Sequence, residues 1–151
     1  MKNKIQEEVL KEVEKVWSNE SQIGYSDLAI GVPGEDGSGA VHTIYGSANG
    51  LHQWFGHVDQ IWTQDSPGID DSSETNDLFG DSLSTADFNS DGYSDLAVGV
   101  PGEDGSGAVH IIYGSAGGLH QWLGHTDQIW TQDTPGIEDI SEAGDLFGSL
   151  G

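Results

Sequence analysis

The sequence predicts an all-β chain with a short amphipathic α-helix at its N-terminus. Three observations carry this. One 56-residue unit occurs twice. Each copy reads as short apolar runs broken by Gly, Pro and Asp. The opening residues differ in composition from everything that follows. The unit Tyr25–Gly80 recurs at Tyr93–Gly148, shifted by 68 positions, and 46 of the 56 aligned residues are identical. A unit repeated at this period is a structural module that stacks beside its neighbour.

The helix comes first. Over residues 3–18, Ile5, Val9, Val13 and Val16 recur at helical spacing, and Leu10 and Trp17 widen the stripe. Glu7 and Lys11 support the opposite face as an i, i+4 pair. A helix this short needs a partner for its apolar face. Docking on the chain's own strands suits the wide stripe better than a coiled coil. Residues 1–18 are this helix and 19–23 a connector.

The strands follow. Asp95-Leu-Ala-Val-Gly-Val100 is apolar and stops at Pro101-Gly102. Glu103-Asp-Gly-Ser-Gly107 is a turn. Ala108–Tyr113 is a second strand, stopped by Gly114. Gln128–Gln132 is a third. Residues 77–86 form a fourth, ahead of an Asp-rich loop. Four short antiparallel strands per repeat describe a β-propeller blade. A sandwich is the second choice.

Charge excludes several functions. The chain has 4 Lys+Arg against 26 Asp+Glu, a formal net charge of −22. All the cations are Lys2, Lys4, Lys11 and Lys15. The body from residue 21 has no Lys or Arg to neutralise phosphates, which argues against nucleic acid and anionic membranes. There is no apolar run of spanning length and no signal-peptide core in residues 1–20. With no Cys, disulfides and thiolate chemistry are absent.

An acidic body suits a hard cation, and one loop is built for it. Asp87-Phe-Asn89-Ser-Asp91-Gly92-Tyr93-Ser-Asp95 sets oxygen side chains at positions 1, 3, 5 and 9 and glycine at position 6. Alternate side chains of a tight loop can face one centre, and an all-oxygen set suits Ca²⁺ over Mg²⁺. A helix–loop–helix site would need Glu at position 12, where Val98 stands in a strand. The alternative is an Asx turn without metal. In the matching stretch Asn19–Asp27 of the first repeat only Gly24 and Asp27 survive among the key positions, with Ile23 in place of Asp91, so no calcium is expected there.

Phe79-Gly80, the Asp87–Asp95 loop and Asp95-Leu-Ala-Val-Gly-Val-Pro101 together resemble the FG-GAP repeats of integrin α-chain β-propellers and their bacterial relatives. The resemblance spans about residues 24–151, with Gly-Val-Pro in place of Gly-Ala-Pro. It implies four-stranded blades with calcium between the first and second strands. The ligands would be Asp87, Asn89, Asp91 and Asp95, with the Tyr93 carbonyl. It also implies a recognition or scaffold role at the cell surface or outside the cell. Laid on the family's strand order, residues 27–32, 40–45 and 60–64 are strands 2–4 of one blade. Residues 78–86, 95–100, 108–113 and 128–132 are a full blade, and 146–150 begin a third. Residues 24–92 thus hold the first repeat with strand 1 and the calcium loop of the next blade, and 93–151 the second.

Two blades leave apolar flanks exposed. Closure with copies gives an even ring, six blades from a trimer or eight from a tetramer, against the family's usual seven. The near-identical repeats, out-of-phase ends and distinct helix point to an engineered chain. A lectin-like reading rests on the repeated His52-Gln-Trp54-Phe-Gly-His57 and His120-Gln-Trp122-Leu-Gly-His125. The plainer reading is that these Trp cover the blade and these His cap turns. His42 and His110 read as packing residues, and Trp62 and Trp130 as core or inter-blade residues. No catalytic constellation is evident; pairs such as Asp70/Asp71 are expected by chance in so acidic a chain.

Overall fold

The computed structural model describes residues 25–51, 59–120 and 127–149. The expected helix 1–18, the connector 19–23 and most of both His-Gln-Trp loops lie outside these. The described residues form eleven strands: β1 (Leu28–Val32), β2 (Ala40–Ile44), β3 (Gly46–Ser47), β4 (Gly50–Leu51), β5 (Gln60–Trp62), β6 (Ser82–Ala86), β7 (Asp95–Val100), β8 (Ala108–Ile112), β9 (Gly114–Ser115), β10 (Gly118–Leu119) and β11 (Gln128–Trp130). The fold is all-β, as expected, and its sheets have the form of propeller blades.

The second repeat gives a four-stranded sheet in the order β6-β7-β8-β11, antiparallel throughout. The first gives β1-β2-β5, the same blade with no first strand among the described residues. Register is matched between the repeats: Val41 faces Trp62 as Val109 faces Trp130. The apolar runs explain the pairing. β7 is Asp-Leu-Ala-Val-Gly-Val, and all but Ala97 are buried, as befits a strand covered on both faces. Each repeat also folds a two-residue hairpin outside the blade, β3–β4 and β9–β10. These strands are too short to leave a periodic signal.

Several strand ends differ from the expected ones. β5 stops at Trp62 and β11 at Trp130, because Thr63–Ser66 and Thr131–Thr134 close turns on their own backbone and hydroxyl groups. The strand expected from residue 78 starts at Ser82. Leu78 and Gly80 hold positive φ of 63° and 91°, which a strand cannot contain. The same geometry at Leu146 and Gly148 corrects the strand expected at 146–150. Phe147 makes one isolated parallel bridge to Gly107.

That Phe-Gly corner locks the blades. The Phe79 N–H donates to Ser38 O at 2.8 Å, and the ring is fully buried. The next residue turns to the following blade, where the Gly80 N–H donates to Gly99 O at 3.1 Å. Gly31 lies flat on Gly80: a Cβ on Gly31 would stand 2.0 Å from Gly80 O. Gly99 lies on Gly148 in the same way. Here the glycines permit backbone-to-backbone approach. The core is shared, with Val41, Trp62, Ile69 and Phe79 from one repeat against Leu96, Val98, Val100 and Ile112 from the next.

Gly31→Ala should therefore lower unfolding free energy by roughly 1–3 kcal/mol. Gly117→Ala should change it by less than about 0.5 kcal/mol. Gly117 has open surroundings, and its counterpart in the first repeat is Asn49. Urea titrations of the two variants check this; equal losses would contradict the close-packed glycine pair.

Candidate metal centre

The Asp-rich loop joins β6 to β7 and hangs on Asp95. This residue opens β7 and is fully buried. Its Oδ2 accepts the Phe88 N–H at the loop's start and its Oδ1 accepts the Gly114 N–H, both at 2.8 Å. Asp87 closes the turn from the other side, with Oδ1 accepting the Asp91 N–H at 3.1 Å and Oδ2 the Gly92 N–H at 3.0 Å. Asn89 Oδ1 accepts the Asp91 N–H at 2.9 Å, and Asn89 Nδ2 donates to Asp91 Oδ2 at 2.8 Å. Asp91 Oδ1 accepts the Tyr93 N–H at 2.9 Å. Positive φ at Ser90 and Gly92 lets the chain turn this sharply.

The structure thus brings Asp87, Asn89 and Asp91 around one exposed turn and sets Asp95 at its buried base. Among the described residues, no three His, Cys, Asp or Glu side chains form a cluster that could hold a metal ion. The donor chemistry nevertheless fits a hard cation. Each carboxylate oxygen accepting one N–H keeps a further lone pair, and every donor is oxygen. In the first repeat Asp27 Oδ1 accepts the Gly46 N–H at 2.8 Å, as Asp95 accepts that of Gly114. The rest of that loop lies outside the described residues.

A second polar cluster was not anticipated. His110 is fully buried, so packing does describe its position. But its Nδ1 lies against Asp127 Oδ2, and its Nε2 lies 3.4 Å from Asp71 Oδ2. His42 repeats the first contact, with Nδ1 3.1 Å from Asp59 Oδ2. The signal was present: both repeats hold a His and an Asp 17 residues apart. Beside this cluster, buried Gln64 donates to Glu103 Oε2 and, at 3.3 Å, to Asp71 Oδ2. Asp127 Oδ1 accepts the Asp70 N–H at 2.8 Å. These contacts join the segment 63–81, which leaves the first blade, to the face of the second. Burial first, then Asp71 and Asp77, pushes Glu103 up to about 7. Burial likewise raises Asp77.

His120 is the one residue of the His-Trp motifs among those described. With Gln60, Ile61, Trp62, Ser66, Pro67 and Leu119 it lines an open cleft of about 500 Å³. Trp62 is only 7 % exposed and Trp130 37 %, the first a core residue and the second uncovered. No helix among the described residues is long and apolar enough to cross a membrane.

Antiparallel blades, one of them with an acidic loop between its first and second strands, define the class: a propeller module with a candidate cation loop. Residues 79–112 match the FG-GAP repeat family model, so the chain carries FG-GAP repeat sequence. Phosphatidylinositol-glycan-specific phospholipase D of Bos taurus is 34 % identical over 108 residues, 65 % of this chain and 12 % of that protein. The Homo sapiens protein of that name is also 34 % identical over 108 residues, with the same coverage. Integrin alpha-3 of Cricetulus griseus is 32 % identical over 127 residues, 80 % of this chain and 11 % of that protein. The chain therefore spans about an eighth or less of these relatives.

Glu103 gives a pH signature. Its folded-state value lies above the unfolded one near 4.5. Between about 4.5 and 7 the folded state binds the extra proton, so its contribution to stability is present below that window and falls as pH rises through it. Glu103→Gln should flatten this slope. At pH 8 it should be the more stable chain by on the order of 1 kcal/mol after solvent screening. Denaturant midpoints from pH 4 to 8 check this; parallel profiles would count against a buried protonated Glu103.

Proposed function

We propose that the chain is a non-catalytic, calcium-binding β-propeller scaffold that closes into a ring with copies of itself and presents surfaces to partners. The observation that carries the calcium reading is the loop geometry. Asp87, Asn89 and Asp91 are already folded around one turn by their bonds to its backbone N–H groups. Asp87, Asn89, Asp91 and Asp95 with the Tyr93 carbonyl would hold the ion. The ion would supply fixed positive charge to an otherwise anionic loop. The resemblance to integrin-type FG-GAP propellers supports the same ligands and an extracellular or cell-surface setting. Ring closure by three or four chains gives six or eight blades. The enzymatic activity named for the phospholipase D relatives is not carried over, because the match covers 12 % of them.

The lectin-like reading stands second. It is favoured by the cleft that His120 and Trp62 share between the repeats. The buried state of Trp62 leaves little ring surface on which a sugar could stack. A glycan array separates the two readings.

Calcium at a hundred times its Kd should stabilise the fold by about 2.7 kcal/mol, raising Tm by roughly 5–15 °C, and EDTA should reverse this. Asp91→Ala should abolish the calcium response and leave the EDTA-treated Tm nearly unchanged. Asp95→Ala should cost roughly 2–4 kcal/mol with or without calcium, because it orphans two backbone donors. Calorimetric scans of the three chains distinguish these outcomes; a Tm indifferent to calcium sinks the site.

A further inference from the structure

The described residues form one complete junction between blades and two half-junctions. The residues that the complete junction buries have twins, 68 positions away, that stand uncovered. Leu96 and Val98, between β6 and β8, are 1 % and 0 % exposed, whereas Leu28 and Ile30 in β1, which has no strand on its outer side among the described residues, are each 40 % exposed. Trp62 and Ile69 are each 7 % exposed, whereas Trp130 and Ile137 behind the second blade are each 37 % exposed. The polar residues follow the same rule. His110 and Asp127 have fully buried side chains, while those of His42 and Asp59 are each 31 % exposed. Gln64 and Glu103 are buried together, while Gln132 is half-buried and Glu35 exposed.

From this, and resting on the reading that the chain closes with its own copies, we infer that a second copy docks head-to-tail on the front of the first blade and repeats the internal junction. Asp139 of one copy then lies against His42 of the next, as Asp71 lies against His110. Gln132 donates to Glu35, as Gln64 donates to Glu103. The Gly148 N–H donates to Gly31 O, as Gly80 donates to Gly99. The segment that supplies these groups is already shaped for it. Gln132 Nε2 donates to Asp139 Oδ2 at 3.3 Å, the same bond at the same length as Gln64 to Asp71. The Phe147 N–H meets Ser106 O at 2.9 Å, against 2.8 Å for Phe79 and Ser38.

One glycine makes the inference specific. A Cβ on Gly102 would stand 1.8 Å from Asn76 O across the internal junction. Among the described residues, its twin Gly34 has nothing within 4 Å. A methyl group at Gly34 therefore meets nothing among the described residues of a lone chain and would collide with a docked copy.

The test is native mass spectrometry and sedimentation of the full chain at micromolar concentration, in calcium and in EDTA. The wild type should form three- or four-chain particles. Gly34→Ala should weaken assembly at least tenfold with an unchanged circular dichroism spectrum. Ile30→Glu should block the front face and Trp130→Glu the back. Either alone should be monomeric, and an equimolar mixture should form a one-to-one dimer and nothing larger. If either variant fails to fold alone, the mixture should restore the β-sheet signal at one-to-one. A monomeric wild type, covered by its own N-terminal segment, overturns the junction. So does assembly that survives Ile30→Glu and Trp130→Glu unchanged. One-to-one dimers beside an open-ended wild type keep the junction and overturn ring closure. Pairing indifferent to calcium keeps the junction and counts against the calcium reading.

Discussion

A blade of three or four short strands cannot bury its own face. That constraint organises the molecule. A sheet sequesters apolar side chains only against a second layer. Here the second layer is the next blade. The shared core divides evenly, four buried residues from each repeat. The repeats pair alike over β1-β2-β5 and β7-β8-β11, but β7 also has β6 on its outer side, where β1 has no strand among the described residues. Val98 and Ile30 occupy equivalent strand positions facing His110 and His42, yet one is sealed and the other is open. Local sequence determines the strand; its neighbour determines its burial.

The same neighbour determines the polar chemistry. Segment 63–81 runs between the blades and has few apolar residues to offer beyond Ile69 and Phe79. It fits by hydrogen bonds: Gln64 to Glu103, Asp70 to Asp127, Gly102 to Asp77. Buried polar groups must be paired, and pairing demands one relative position of the two blades. Dispersion contacts alone would tolerate sliding. The cost is a carboxyl at Glu103 that the buried junction drives toward its neutral form. An acidic surface is therefore compatible with tight stacking only where acids meet His, Gln or backbone N–H groups.

Much of this was legible in the residues. The 68-residue shift gave the two modules, and apolar runs ended by Gly, Pro or Asp gave seven of the strands. The Asp87–Asp95 spacing located the loop, although not the outward bonds by which Asp95 anchors it. What escaped was set by tertiary contact or backbone conformation. Leu78 looks like a strand residue, but its positive φ makes it part of the Phe-Gly corner. His42 and His110 alternate with apolar neighbours and so read as packing. Their carboxylate partners lie 17 residues on, across an adjacent strand, where no local period points. The β3–β4 and β9–β10 hairpins are two residues a side, below the length at which alternation carries information.

The loop and the junction are mechanically separate yet share Asp95. Its two oxygens hold the loop's first backbone N–H and the N–H of Gly114, which begins the hairpin beyond β8. Anything that reorganises the loop is thus felt one strand away, at the hairpin whose Leu119 meets Tyr45 of the preceding blade. There the Leu119 N–H donates to the Tyr45 hydroxyl at 3.3 Å, and Gln60 Nε2 donates to Leu119 O at 3.3 Å. Burial at this contact pushes the Tyr45 phenol up to about 12, keeping it a neutral donor to Gln60. A cation at the loop would accordingly act on more than its own nine residues. By fixing Asp95 it would fix the hairpin, and by fixing the hairpin it would stiffen the angle at which one blade meets the next. In a ring that angle decides how many blades close it.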